Sequence, residues 1–383
     1  MYITIVPTLK CMVLSKIVHS FYYDPEIRAL EKRLRQPLCF LPPKDWEPTV
    51  NERLSKIFPS RTLRKAIVNL FMPISLEVVM WGYDHREVNS GFFSCMDMWH
   101  CFRWNSRGII DREQTVKLIV AKIDIRMPDR FFLACNYKLK ETILEMWKNM
   151  SEDDMERVTG MVHSPIVDRW VHCLQEGGVP ETRELVEAFL GVRPIYSQCS
   201  RSTGLRVLFP DLSMEDRFRC LMCSIRHRET YPDDLRYCLS QLDSNQQTEV
   251  YRRHTFWVLK SFLHWPVQSA FLDLVDQMWT FLTMLDFGDL LHVILCQIIM
   301  KGWEDFDYIY ILQNFWRQSP ARFKDSIKEA RMYEPLRSVI DYGGPEPFSL
   351  DLLSDFKCNC HLNDKIIYIE IVVVFRVYHS SVV

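Results

Sequence analysis

Apolar residues recur along this chain at helical steps, most clearly at Val267, Ala270, Phe271, Leu274, Val275, Met278, Trp279 and Leu282. That period belongs to a helix with one wide stripe turned inward. Met214, Phe218, Leu221, Met222 and Ile225 form a second such stripe. Its helix begins at Ser213, whose hydroxyl can accept from the amide three residues on, with Asp216 as the returning acid of a capping box. Ser151 with Asp154 repeats the start. Ser164 before Pro165 gives another, because proline at the first helical position loses no intrahelical bond. Gly191 stops a helix over 181–190. The pattern predicts helices near 61–72, 90–104, 112–124, 128–150, 165–176, 181–190, 214–228, 232–242, 245–264, 266–283, 287–301, 304–317 and 321–340.

These helices resemble one another. Asp129-Arg130-Phe131 lies four residues before Cys135, and Asp216-Arg217-Phe218 shortly before Cys220 and Cys223. Each opens a helix that a second amphipathic helix follows. With the inner cysteines as markers, positions 101, 135, 173, 223 and 296 are separated by 34, 38, 50 and 73 residues. The last spacing is two units. The 50 holds an insertion, Gly191 to Leu212, rich in Arg, Ser, Pro and Gly, which reads as a loop. A two-helix unit of about 34 to 40 residues marks an α-solenoid, in which each pair covers its neighbour's apolar face. The expectation is an all-α, α-solenoid-like stack of antiparallel helix pairs.

The run Asp129-Arg130-Phe131-Phe132-x-Ala134-Cys135, followed by Leu139, Ile143, Leu144 and Trp147, resembles the degenerate, ankyrin-like helical repeats of large uncharacterised multi-copy families, over residues 75 to 340. The Thr-Pro-Leu-His of ordinary ankyrin repeats is missing, so the hairpin turns and concave surface of those repeats do not carry over. The resemblance implies a protein-interaction architecture and names no binding residue.

Both ends depart from the pattern. Residues 1–25 and the tail 357–383 are expected outside the folded unit, with 26–190 and 213–356 as two helical blocks around the loop 191–212. Within the tail, the β-branched run Ile366 to Val377 is strand-like and too short to span a bilayer. The first residues lack a basic region, and Pro7, Lys10 and Lys16 interrupt their apolar run, so no secretory signal is read there. The longest apolar region, Trp279 to Met300, carries Asp286, Asp289 and His292, and Gly288 is expected to divide it. No membrane span is expected.

Composition narrows the chemistry. Glycine supplies only 12 of 383 residues, below the usual share of roughly 7%, which disfavours parallel α/β folds and phosphate-cradling loops. The 23 Phe, 15 Tyr, 11 Trp and 17 Met suit seams between helices. With 47 basic and 49 acidic residues the net charge is −2, so no overall field draws the chain to nucleic acid or an anionic membrane. Thirteen cysteines in helical stretches read as buried thiols in a reducing compartment, hence a cytoplasmic expectation.

Each chemical constellation has a structural counterpart. Cys358-x-Cys360-His361 offers three corners of a zinc tetrahedron, with Asp364 as a conceivable fourth, in what otherwise reads as a cysteine-rich tail. Cys220-x-x-Cys223 has redox or zinc spacing but sits within an amphipathic helix. Cys95, His100 and Cys101 share a helix with Phe92, Phe93 and Trp99 and read as seam residues. The pairs Asp153-Asp154 and Asp233-Asp234 could hold magnesium diphosphate in an all-α enzyme, yet both stand at helix starts, where acids suit the macrodipole. Arg226-His227-Arg228 and Arg252-Arg253-His254, with Arg201 and Arg206, could follow single-stranded RNA beside Tyr231, Tyr251 and Trp257. The chain has no Gly-x-Ser-x-Gly elbow, Walker loop, His-Glu-x-x-His helix or kinase triad. The sequence therefore points to a non-enzymatic scaffold for a protein partner, with no catalytic, cofactor or metal residue assigned. The alternatives are an RNA-binding helical repeat and an all-α enzyme.

Overall fold

The structure, a computed structural model, describes residues 8–34, 36–85, 99–160, 165–191, 202–226, 230–344, 348–354 and 356. Among these residues the protein is all-helical, and the one β-type pairing is an isolated bridge between Trp104 and Ile110. The strand expected at 366–377 lies outside the described residues, as do Ser164 and most of the helix expected at 90–104.

The first helices are α1 (Leu9–Tyr22), α2 (Pro25–Leu34), α3 (Pro43–Ser55), α4 (Arg61–Val68) and α5 (Phe71–Asp84). There follow α6 (Arg112–Val120), α7 (Met127–Asn136), α8 (Lys140–Asn149), α9 (Glu152–Gly160) and α10 (Pro165–Gln175). Next come α11 (Thr182–Leu190), α12 (Ser202–Leu208), α13 (Met214–Arg226), α14 (Pro232–Ser240) and α15 (Ser244–Ser261). The last are α16 (Phe271–Met278), α17 (Met284–His292), α18 (Tyr308–Gln318), α19 (Ala321–Ile327) and α20 (Tyr333–Ile340). No helix is long and apolar enough to cross a membrane among the described residues.

Two compact units form, one of Glu77–Thr248 and one of Ile3–Leu76 with Glu249–Val383. Their borders fall inside α5 and α15, where no polar linker marks them, rather than at the 191–212 insertion. Residues 9–22, which the sequence placed outside the fold, form α1: Thr8 accepts the Cys11 amide at 3.2 Å, and Leu14, Val18 and Tyr22 are buried at steps of four. The expected loop also holds structure. Helix α12 and the turn after it bury Leu205, Leu208, Phe209 and Leu212, an apolar spacing that the surrounding Arg and Ser obscure.

Several starts and stops are as the residues dictate. The amides of Asp154 and Asp216 donate to the hydroxyls of Ser151 and Ser213 at 3.1 and 3.2 Å. Those hydroxyls in turn donate to the two aspartates, in place of the backbone amide of a full capping box. Helix α10 begins at Pro165, and α11 ends at Gly191.

Elsewhere long apolar patterns conceal breaks. The helix expected over 128–150 is two, α7 and α8, because Lys138 adopts a left-handed conformation with φ of 54°. The amides of Lys138 and Leu139 then close on the carbonyls of Cys135 and Ala134, satisfying the end of α7. Gly288 does not divide its segment but lies inside α17. There a Cβ would stand 3.3 Å from the Ile327 side chain, so glycine permits the close approach of α19. The break comes earlier, at Thr283, whose hydroxyl and Asp286 form a capping box. Six residues after α17, Val293–Ile298, adopt a π-helix and are all buried.

Within Glu77–Thr248, α7 packs on α6, α8, α9 and α10, while α13 packs on α11, α12 and α14. In the other unit, α1 and α3 pack on α4, and α18 lies against α16 and α20. An aromatic cluster fills this second core: Phe287 lies 5.0 Å from Phe315 and 5.1 Å from Phe323, and Trp279 stacks on Phe315 at 5.6 Å. Aromatic contacts of this kind add to the burial of large apolar area. We expect Phe287→Ala to cost about 3–5 kcal/mol in urea unfolding followed by tryptophan fluorescence. A cost below about 1 kcal/mol would show that the cluster does not hold this core.

Candidate functional site

Helix α5 and the residue that follows it carry Glu77, Trp81, Asp84 and His85 at steps of four, three and one, so the four share one face. In a segment otherwise rich in Val, Met and Trp, two buried acids on that face need partners. Arg112 supplies the first, standing at the start of α6 behind the cap made by Asp111. Its guanidinium pairs with Asp84 at 2.7 Å and lies 3.9 Å from the centre of the Tyr231 ring. Tyr231 donates its hydroxyl proton to Glu77, whose other oxygen accepts the Ile110 amide at 3.0 Å.

His85 closes the other side. Its Nδ1 is 2.6 Å from the Trp81 carbonyl, which can only accept, so Nδ1 carries the proton. Nε2 must then accept from the Tyr137 hydroxyl, 2.9 Å away. The imidazole stacks on Trp81 at 4.1 Å, and the Tyr137 ring, 5.7 Å away, lies nearly parallel to it. Burial and the neighbouring Arg112 push its pKa down to about 3, which keeps this neutral tautomer.

A second layer begins at α14. Pro232 fills its first position, and Asp233 and Asp234 follow in the first turn, as the macrodipole favours. Unlike ordinary helix-start acids they are buried, 4% and 1% exposed. Arg206 of α12 pairs with both, at 2.8 and 3.1 Å, while Arg107 and Arg236 reach Asp233 at 3.1 and 3.4 Å. Burial pushes Asp233 up, but Arg236, Arg107 and Arg206 outweigh it and hold the carboxyl below its usual range. Asp234 stays raised, because for it burial exceeds the pull of Arg112 and Arg206. Glu77 is pushed up to about 7 by burial, in spite of Arg112 and two hydrogen-bond donors.

Glu77, Asp84, His85, Arg112, Asp233 and Asp234 are all 7% exposed or less. Buried together, they offset one another's charge and tie α5, α6, α12 and α14 to one another. Sequence reasoning singled out Asp233, Asp234, Arg206 and Tyr231 for other roles and missed Glu77, Asp84, His85 and Arg112. The signal that could have found them is the pair of acids seven residues apart within an apolar helix.

The other candidates are dispersed. Cys220 is buried on α13, its thiol pushed up to about 12 by burial, and Cys223 lies half-buried one turn on. Cys101 is buried, whereas His100 is exposed and accepts from Lys122 at 2.6 Å. Asp153 and Asp154 open α9, with Asp154 bound to Ser151. Arg252 pairs with Glu249 at 2.6 Å, and Arg253 pairs with the same carboxylate, which cancels part of that basic cluster. His254 marks a kink in α15, Tyr251 and Trp257 are half-buried, and Tyr231 is buried beneath Arg112. Arg226 is exposed at the end of α13. Cys95, Arg201, His227, Arg228, Cys358, Cys360, His361 and Asp364 lie outside the described residues. Among the described residues no three His, Cys, Asp or Glu side chains are grouped to hold a metal.

One accessible concavity belongs to the unit built from Ile3–Leu76 and Glu249–Val383. It is an open groove of about 610 Å³ between α3 and α4, lined by Glu47, Asn51, Glu52, Arg61, Arg64, Lys65 and Glu304 among others.

Two measurements test the buried network. Arg112→Met should cost about 3–5 kcal/mol, because it leaves Asp84 without its cation and Asp234 with Arg206 alone; a loss within about 0.5 kcal/mol would place the stabilisation elsewhere. For Glu77 the folded pKa lies above the unfolded one, so its contribution is complete below about pH 4.5 and is lost as pH rises through about 7. Glu77→Gln should therefore flatten that part of the stability–pH curve and be the more stable protein at pH 8, by up to about 3 kcal/mol. Parallel curves for the two proteins would contradict the shift. Comparison with known protein families, curated proteins and solved structures finds no match to this chain.

Proposed function

We propose that this chain is a non-enzymatic helical-repeat scaffold that binds another protein. The observation that carries the reading is the contrast between the two polar assemblies. The acids, arginines and histidine that could serve acid–base chemistry are buried and matched to one another, whereas the charged side chains of the α3–α4 groove are exposed or half-buried along an open cleft. Open polar clefts on rigid helices suit recognition of a macromolecular surface. A stack of helix pairs, as the spacing of Cys101, Cys135, Cys173, Cys223 and Cys296 suggests, would place such clefts at intervals along the chain. Buried thiols at Cys39, Cys135, Cys220, Cys238 and Cys296 suit a reducing compartment, consistent with a cytoplasmic location. The RNA reading draws less support, since Arg206 is committed to Asp233 and Asp234, and Arg252 and Arg253 share Glu249.

The test is reconstitution. Polypeptides captured by the full chain are purified and remixed with it, and light scattering reads the mass of the product. A complex of fixed stoichiometry with one polypeptide is expected. Capture of RNA that weakens steeply with salt, or no stoichiometric complex at all, would contradict the proposal.

A further inference from the structure

The α3–α4 groove has a polarity along its length that specifies more than a general interaction surface. Glu47, Asn51, Glu52 and Ser55 lie at steps of four, one and three on α3, and Arg61, Arg64, Lys65 and Asn69 at steps of three, one and four on α4. Each set therefore forms one wall. A five-residue connection, 56–60, joins the helices and places Ser55 near Arg61 at one end and Glu47 near Lys65 at the other. Glu304 closes the second end, its carbonyl accepting from Asn69 at 2.8 Å and its carboxylate pairing with Lys65 at 3.1 Å.

The charges at the two ends do not cancel. At the connection end, Arg64 donates to the carbonyls of Phe58 and Pro59, at 2.7 and 2.8 Å, which orient its guanidinium without neutralising it. Arg61 adds an exposed positive charge one turn away, at the first position of α4. At the far end, Glu47 and Glu304 face one ammonium, Lys65. The Glu47 carboxyl is raised by burial and by repulsion from Glu304, with Lys65 offsetting only part. With Glu52 offset by Lys56 at 3.2 Å, the connection end thus carries surplus positive charge and the other end surplus negative charge.

We propose that this groove binds an extended peptide segment of a protein partner that carries an acidic side chain and a basic side chain, the acid seated against Arg61 and Arg64 and the base against Glu47 and Glu304. This rests on the scaffold reading above and names the chemistry of the partner. Glu47 and Ser55 are eight residues apart on a helix that rises about 1.5 Å per residue, so the ends are separated by about 12 Å. An extended chain advances about 3.3 Å per residue, which sets the acid and the base roughly four residues apart. The groove volume of about 610 Å³ lies within the range of about 300–1,000 Å³ typical of ligand sites.

The probe is a displayed library of random peptides panned against the full chain. Peptides with an acid and a base three to five residues apart should be enriched. Their affinity should fall about tenfold in Arg61→Glu and again in Glu47→Lys, each checked for an unchanged helical spectrum. Arg61 is exposed and Glu47 half-buried, so neither substitution enters the core. Four outcomes overturn the proposal: apolar peptides, peptides of one charge sign, sequences that bind the wild type and both variants alike, or no enrichment. In each of these the scaffold reading stands or falls separately, by the stoichiometric complex. A complex that forms undiminished with Arg61→Glu would place the partner on another face.

Discussion

A guanidinium that cannot reach water must find its counter-charges inside the protein, and the unit Glu77–Thr248 is arranged around that need. Arg112 is 7% exposed. It draws together Asp84 from α5, the Tyr231 ring at the start of α14 and, through Tyr137 and His85, the end of α7. None of these groups is close to Arg112 in sequence. Burying the ions costs several kcal/mol each, and the opposite charges gathered around them offset that cost. The network therefore tolerates one arrangement of its helices and penalises the rest, a specificity that apolar packing alone provides less sharply.

Arg206 extends the same logic. It comes from a segment whose Arg, Ser, Pro and Gly content reads as a loop, yet α12 is tied down by Leu205, Leu208 and Phe209 beneath and by Asp233 and Asp234 beside it. The other unit also pairs a buried acid, Glu31, with Arg28, but its largest core feature is aromatic. There the rings of Phe287, Phe315, Phe323 and Trp279 interlock, and the charged residues Glu47, Arg61, Arg64 and Lys65 are left facing a groove instead of one another's core.

How much of this was legible depended on range. Helical class, the starts at Ser151 and Ser213 and the stop at Gly191 follow from interactions within a few residues, and sequence shows them directly. Breaks inside continuous apolar patterns were hidden. The split between α7 and α8 is made by the backbone of Lys138, a residue with no preference for that conformation. Gly288 was read as a breaker because its actual role, admitting Ile327, depends on a helix about forty residues away. The candidate sites were the least legible, since Glu77 meets Tyr231 across 154 positions, and Lys65 meets Glu304 across most of the chain. Charges so far apart reveal their pairing only once the helices are placed.

The unit depends most directly on the coupling between Asp84 and Arg112, and a double-mutant cycle measures it. Asp84→Leu and Arg112→Met are made singly and together, and unfolding free energies are compared at neutral pH. If the pair organises the unit, the double variant will be more stable than the sum of the single losses by at least about 1.5 kcal/mol, because removing both charges leaves neither one stranded. Losses that add to within about 0.5 kcal/mol would contradict it and return the stability of this unit to apolar packing alone.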